Sequence, residues 1–202
     1  MLAEKLGFFH SISSQLGRDY IKSHFDQETL RQKENYEKGL LFDSDWMFRI
    51  VQQKTKEIFE QSQEQGGIIY DGSPRTLYEA KELCNFLTGL IGRENIKIIY
   101  IDIDENELRR RIERRLICNN SPEHVFIKSG NLKPGSPCPE SDGILIERDL
   151  DKKEIFDVRM EKYKKETIPA LEFLKRKHKV ITINGNQPIE AVRNDITRAL
   201  DL

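Results

Sequence analysis

Residues 66–76, Gly66-Gly67-Ile68-Ile69-Tyr70-Asp71-Gly72-Ser73-Pro74-Arg75-Thr76, run from an apolar stretch into an acid, a glycine and an arginine. If the apolar stretch is a strand, Asp71 stands at its C-terminal end, where a carboxylate is well placed to hold a metal ion through water. Gly72 lets backbone approach a ligand closely, and Arg75 offers a planar fork to a phosphate. On physics alone the same residues also read as a strand, a turn and a helix cap.

A second set of residues is cationic. Arg111 and Arg115 are four apart and would share a face if one helix carried both. Arg148 and Arg159 are eleven apart, which on one helix puts them about 20° from each other after roughly three turns. Two arginine pairs flanking a polar excursion can close on a polyphosphate, which is what phosphoryl transfer asks of a protein: positioning, and neutralisation of the moving charge. The plain alternative is solvated helix arginines paired at i,i+4 with Glu107, Glu113 or Glu154. Arg109, Arg110 and Arg114 are assigned to that alternative.

These side chains need elements to hold them. Gly67–Tyr70, Ile96–Ile103 and Val180–Ile183 are runs rich in Ile, Val and Tyr that end at polar turns, and Phe8–Ser13 is a weaker fourth. Runs apolar at nearly every position suit strands buried on both faces of a parallel sheet. Between them, apolar residues near a 3.6 period predict helices over Asp45–Ser62, Thr76–Leu90, Asp151–Lys177 and Pro188–Leu200, the first capped by Ser44 or Asp43. Strands alternating with helices predict an α/β fold with right-handed crossovers. Tyr20–Lys38 is a charged insertion of helical composition. Asn119–Gly143, with four prolines, three glycines and four serines, is a long excursion of the kind that serves as a functional lid. Cys84 falls on an apolar helix face and reads as core.

Composition bounds the rest. The chain has 202 residues, 37% hydrophobic and 33% charged, with 33 basic against 34 acidic side chains and a net charge of −1. Length alone leans toward one domain. No apolar run is long enough to span a bilayer. Without a basic excess, nucleic acid and membrane surfaces are not expected partners. No charged-then-apolar leader opens the chain, and three cysteines fit a reducing compartment, so a cytoplasmic protein is expected.

The Asp71–Thr76 segment resembles the Asp-Gly-Phe-Pro-Arg-Thr signature of adenylate kinases and their nucleoside monophosphate kinase relatives, with serine in place of phenylalanine. Other segments match that family in order. Lys5-Leu6-Gly7 through Ile12-Ser13-Ser14 is similar to its second strand, and Gly39–Asp43 to the turn lining its base pocket. Ile96–Asp104 with Glu107, Leu108, Arg111 and Arg115 is similar to the fourth strand and the helix entering the lid. Arg148–Asp151 with Arg159 is similar to the lid exit, and Ile183–Pro188 to the last turn. The resemblance covers nearly the whole chain.

It implies a three-layer, parallel-sheet P-loop kinase-type fold over residues 1–202, with a monophosphate-binding insertion at 14–43 and a lid insertion at 116–150. It implies transfer of the γ-phosphoryl of ATP to AMP or a related nucleoside monophosphate, with Mg2+ and small-molecule nucleotides as partners, by a monomer. Asp71, Arg115, Arg148 and Arg159 would be catalytic. Ser14, Arg18, Leu40, Phe42, Gly72, Arg75 and Glu79 would bind the monophosphate. Arg111, Arg115, His124, Val125 and Gln187 would bind ATP.

The departures from the family pattern are equally specific. Glu79 stands where a glutamine usually reads adenine. A carboxylate only accepts hydrogen bonds, which suits the N1–H and N2 amine of guanine and opposes adenine N1. Leu150 stands where the first of two lid aspartates is usual, leaving Asp149 or Asp151 for that role, and Leu116 replaces a second arginine. The stretch leading to Arg18 is one residue short. Cys118-x2-Ser121 and Cys138-x2-Ser141 keep the spacing of a four-cysteine zinc lid with two serines, which are poor ligands. A metal-free lid held by hydrogen bonds is therefore the expectation, against a zinc site on Cys118 and Cys138 completed by His124 or Asp142. None of the 12 glycines is followed by lysine, so the phosphate-cradling Gly-x-x-x-x-Gly-Lys loop is not among these residues. The expectation is a loop encoded upstream of a truncated chain, with a catalytically impaired nucleotide-binding paralogue as the alternative.

Overall fold

A computed structural model of the chain describes residues 2–61, 66–121 and 123–202. Ser62, the expected end of one helix, and Pro122, within the expected lid, lie outside the described residues. The chain divides into two compact units, Met1–Ile99 with Val158–Ile181, and Tyr100–Asp157 with Thr182–Leu202.

The first unit begins with α1 (Leu2–Leu6), β1 (Phe9–Ile12), α2 (Ser13–Ser23) and α3 (Gln27–Glu37). The charged insertion is helical as its composition suggests: Asp26 caps α3 by accepting the Thr29 N–H. Next come α4 (Ser44–Gln61), β2 (Ile68–Asp71) and α5 (Leu77–Ile91). Thr76 is the N-cap of α5, its Oγ1 accepting from the Glu79 N–H. β1 and β2 pair in parallel, with Phe9 opposite Ile68 and Ile12 opposite Asp71.

Two apolar clusters hold this unit. Trp46, Met47, Ile50 and Val51 of α4 pack on Leu83 and Leu87 of α5, with Leu16, Tyr20 and Phe42 against them. The opposite face of α5, Ala80 and Cys84, meets Ala170 and Leu174. Each large buried aliphatic or aromatic side chain stabilises by about 1.5–3 kcal/mol. The apolar helix face that carries Cys84 is core, as its periodicity predicts.

β3 (Ile98–Asp102) is followed in the second unit by α6 (Glu105–Glu113) and a small antiparallel sheet in the order β5-β4-β6, made of β4 (Arg115–Cys118), β5 (Val125–Ile127) and β6 (Leu145–Ile146). This sheet replaces the helical continuation that spacing suggested. α6 ends at Glu113 and Arg115 is the first residue of β4, so Arg111 and Arg115 do not share a helix face. The physical reason lies just downstream. Leu116 and Cys118 are fully buried with Leu145 and Cys138, and Phe126 and Leu132 pack on them. Burial of these four residues, drawn from distant segments, outweighs the local helical propensity of an arginine-rich run.

The remaining elements are α7 (Lys153–Lys162), α8 (Ile168–Lys177), β7 (Val180–Asn184) and α9 (Ile189–Ala199). The predicted Asp151–Lys177 helix is interrupted: Tyr163–Thr167 winds as a π-helix between α7 and α8. Pro169 explains it, since its ring clashes with the carbonyl of Lys165 and it has no N–H to give. Arg148 precedes a short 3-10 turn at Asp149–Asp151 and is not on the helix that carries Arg159.

β3 and β7 are hydrogen-bonded neighbours, as β1 and β2 are. Among the described residues each of these four strands has one such neighbour, and two-sided burial is correspondingly incomplete. No residue of β2 or β3 is fully buried, and Ile101 is 47% exposed. No helix among the described residues is long and apolar enough to cross a membrane.

Candidate functional site

In the first unit, β2 delivers Asp71 to its C-terminal end, where the carboxylate is exposed. Its Oδ2 lies 3.2 Å from His10 Nε2 on the neighbouring strand. Ser13 Oγ lies 3.2 Å from the Asp71 carbonyl oxygen and 2.8 Å from Ser73 Oγ, tying the start of α2 to the turn after β2. Gly72 has φ +80°, a conformation that favours glycine, and this turns its carbonyl to accept Arg75 Nε–H at 2.8 Å. The guanidinium is thereby fixed within one turn of the strand-end carboxylate.

Glu79 completes this turn from below. It is buried, and its Oε2 accepts the Arg75 backbone N–H at 2.8 Å. Burial pushes its carboxyl above the usual carboxylate range, and the Arg75 N–H and charge oppose that rise. Thr76, besides capping α5, bonds to Ser44 Oγ at 2.9 Å and so ties α5 to the start of α4.

Ser14 and Arg18 lie on α2, where Arg18 Nη2 donates to Gln15 Oε1. Phe42 stacks on Tyr36 at 5.5 Å and meets Trp46 at 5.0 Å. Its ring lies against Gly17, where any added Cβ would collide with it, so the turn at residues 39–43 is seated directly on α2. Leu40 is half-buried in the same turn, its N–H held by the Asn35 carbonyl. Arg159 also belongs to this unit, partly buried on α7. A cavity of about 500 Å³ lies between β1, α2 and α4, lined by residues including His10, Asp19, Tyr20, Lys54 and Glu57. None of the predicted monophosphate residues lines it, so the side-chain chemistry, rather than the cavity, marks the candidate site.

The second unit holds the other cations. Arg111, in the last turn of α6, donates to Glu107 at 2.7 Å and to the carbonyls of Gly185 at 2.8 Å and Gln187 at 2.9 Å. It thus clamps the turn between β7 and α9. Gly185 is required there: a Cβ would strike the Asp102 carbonyl. Hydrogen bonds from Arg110 and Arg111 hold Glu107 down at about 2. Arg115 makes a bidentate pair with Asp151, Nε to Oδ2 at 2.8 Å and Nη2 to Oδ1 at 2.5 Å. Asp151, rather than Asp149, is the acid paired with Arg115. Nη1 of Arg115 and the whole Arg148 guanidinium have no partner among the described residues. Val125 is 53% exposed on β5.

His124, expected to bind ATP, has its ring beside the cysteines. Nδ1 lies 3.7 Å from Cys138 Sγ, and Nε2 lies 3.7 Å from Glu140 Oε2. Sequence spacing gave no sign of His10 beside Asp71 or of Glu140 beside His124. The only available signal was residue type.

No family model matches the chain. It is 30% identical over 211 residues to an adenylate kinase of Chlamydia trachomatis serovar D, an alignment covering 99% of this chain and 82% of that protein. It is 30% identical over 199 residues to an adenylate kinase of Thermoanaerobacter sp. strain X514, with 98% and 89% covered. A third adenylate kinase, from Acetivibrio thermocellus, is 28% identical over 203 residues, with 99% and 89% covered.

Proposed function

The chain belongs to the adenylate kinase family of phosphotransferases, and on that footing we propose that it transfers the γ-phosphoryl group of ATP to AMP or a related nucleoside monophosphate. One observation carries the proposal: a strand-end carboxylate, Asp71, and a guanidinium, Arg75, pinned by the Gly72 carbonyl within the same turn. Arg75 and the partly buried Arg18 and Arg159 are the cations of the first unit that take the acceptor phosphate. Arg115 and Arg148 neutralise the transferring group. Asp151 orients Arg115 and leaves its Nη1 edge for a phosphate oxygen, and Arg148 brings an unpaired guanidinium. Arg111 and the Gln187 carbonyl lie at the ATP base with Val125.

A hydrated Mg2+ fits Asp71, whose side chain is 61% exposed and whose Oδ1 has no partner among the described residues. The ion would supply charge neutralisation at the phosphates. Ser14, Leu40, Phe42 and Glu79 form the acceptor pocket, and Glu79 favours a base edge made of donors, as guanine presents.

A second reading, nucleotide binding without turnover, is favoured by one fact of the sequence: no glycine among the 202 residues is followed by lysine. Two measurements on the same preparation separate the readings. ADP formation from ATP and Mg2+, dependent on added AMP, GMP, CMP or UMP, supports transfer. Saturable nucleotide binding by calorimetry with no turnover supports the second. Neither binding nor turnover overturns both.

A further inference from the structure

The cavity of about 500 Å³ between β1, α2 and α4 lies wholly in the first unit, and the proposed transfer reaction leaves it unused. Its apolar lining is Phe9 and Ile12 of β1, Leu16 and Tyr20 of α2, and Ile50 of α4. Phe9 is 41% exposed, so a ligand that covers its ring removes apolar surface from water. Tyr20 stacks on His24 with ring centroids 3.7 Å apart, and it meets the buried Trp46 edge-on at 5.4 Å. A space of this size, apolar with a few polar groups, suits a small organic molecule.

The polar groups repeat one pattern on two helices. On α2, Gln15 Nε2 donates to both Asp19 oxygens at 2.8 Å. On α4, Gln53 Nε2 donates to Glu57 Oε1 at 3.0 Å. Hydrogen bonds from Gln53 and Lys54 hold the Glu57 carboxyl below the usual range. All four of these glutamine and acid side chains line the cavity, and they share it with one ammonium, that of Lys54. Lys54 Nζ lies 3.2 Å from Glu57 Oε2 and 5.9 Å from the Phe9 ring centroid. Lys22 sits 3.6 Å from Asp19 but outside the lining, in a pair exposed on both sides of the kind that a competing cation replaces. With neutral imidazoles the lining carries an excess of negative charge, beside aromatic rings that attract cations.

Asp19 also ends a chain of hydrogen bonds that starts at Arg18. Arg18 Nη2 donates to Gln15 Oε1, and Gln15 donates to Asp19. The carboxylate polarises the amide, and the amide holds the guanidinium. A cation on Asp19 weakens that hold and offsets a negative charge next to Arg18. Both effects favour phosphate at Arg18.

We propose that this cavity binds a small organic monocation with a flat apolar body, its ammonium on Asp19 and its ring against Phe9 and Tyr20, and that its occupancy tightens monophosphate binding through Gln15 and Arg18. The site stands by itself; the coupling rests on the reading that Arg18 takes the acceptor phosphate.

Phenethylamine is the probe, and Trp46, beside Tyr20, is the reporter. Titrated into the 202-residue chain, the amine should saturate with a midpoint at about millimolar concentration or below, by fluorescence and by calorimetry. 3-Phenylpropionate, the same body with the charge reversed, should bind at least about ten-fold more weakly, and so should phenethylamine to Asp19→Asn. Saturating amine should raise AMP affinity about five-fold, and Gln15→Leu should abolish that rise while the amine still binds. No saturable amine binding, or equal binding of the two ligands, overturns the site. Amine binding that leaves AMP affinity unchanged overturns the coupling. A chain that binds amine but no AMP upholds the site and overturns the coupling together with the nucleotide reading. The comparison of the two ligands uses only the unaltered chain, so it decides even if a variant fails to fold.

Discussion

Two carboxylates, Glu79 and Glu107, are displaced in opposite directions, and each displacement has a consequence in solution. Glu79 is buried and its carboxyl is raised, so its charge costs more in the folded state than in the unfolded chain. The cost of its charge therefore grows as pH rises above the unfolded carboxylate value of about 4.3. Glu79→Gln keeps an acceptor for the Arg75 N–H and removes the charge. Its thermal midpoint should exceed that of the unaltered chain at pH 7, and the gap should close below about pH 4. The same variant should shift nucleotide preference toward AMP, by about ten-fold or more if an unpaired polar edge costs about 1–3 kcal/mol. Calorimetry with AMP and GMP reads that directly. Glu107 behaves in reverse. Held at about 2 by Arg110 and Arg111, it contributes stability above about pH 4.3 that is lost as pH falls toward 2. Glu107→Gln should flatten the acid limb of the unfolding curve and remove the charge from the hydrogen bonds that Arg110 and Arg111 make to this side chain. Neither displacement is legible in sequence. Glu79 was visible as an unusual residue at its position, but its burial and its bond to Arg75 depend on how α5 packs.

At the scale of elements, the insertion between α2 and α4 is held by one buried amide. Gln32 is fully buried on α3, accepts the Asp43 N–H at 2.8 Å and donates to Asp43 Oδ2 at 2.7 Å, while Arg31 reaches the same oxygen at 2.6 Å. Gln32→Ala leaves two Asp43 groups without that partner. It should destabilise by about 1–3 kcal/mol in denaturant unfolding, whereas Arg31→Ala, an exposed pair, should cost no more than about 1 kcal/mol. The helical character of this insertion was readable from composition, but its anchor was not, because a glutamine in a charged segment carries no sign of burial. The π turn at Tyr163–Thr167 makes the same point differently. Pro169 was in plain view, yet the apolar spacing of Ile155, Val158, Tyr163, Ile168 and Leu171 continues through it and predicts one unbroken helix.

At the scale of the molecule, the two units have separate apolar clusters, and the single tryptophan, Trp46, belongs to the first. Leu116 and Leu145 belong to the sheet of the second. Leu116→Ala should cost about 2–5 kcal/mol locally and accelerate amide exchange across β4, β5 and β6. The Trp46 fluorescence transition should stay within experimental error of the unaltered chain. A common shift of both signals would show that the units unfold as one. The net charge of −1 conceals a local concentration of cations, five arginines between Arg109 and Arg115. The structure distributes them unevenly: Arg109 pairs with Asp157, Arg110 with Glu107, and Arg115 with Asp151.

The sequence by itself determined the α/β alternation, the strand that ends in Asp71 and the family to which the chain belongs. Those properties rest on local periodicity and on short contiguous motifs, which neighbouring residues dictate through backbone geometry. Tertiary structure alone decided where α6 stops, which face of Glu79 is buried, that Asp151 rather than Asp149 takes Arg115, and that His124 faces two cysteines. Each of these joins residues far apart in the chain, Cys118 with Cys138 or Arg111 with Gln187. Burial and hydrogen bonding across such separations are properties of the folded packing, and residue spacing does not encode them.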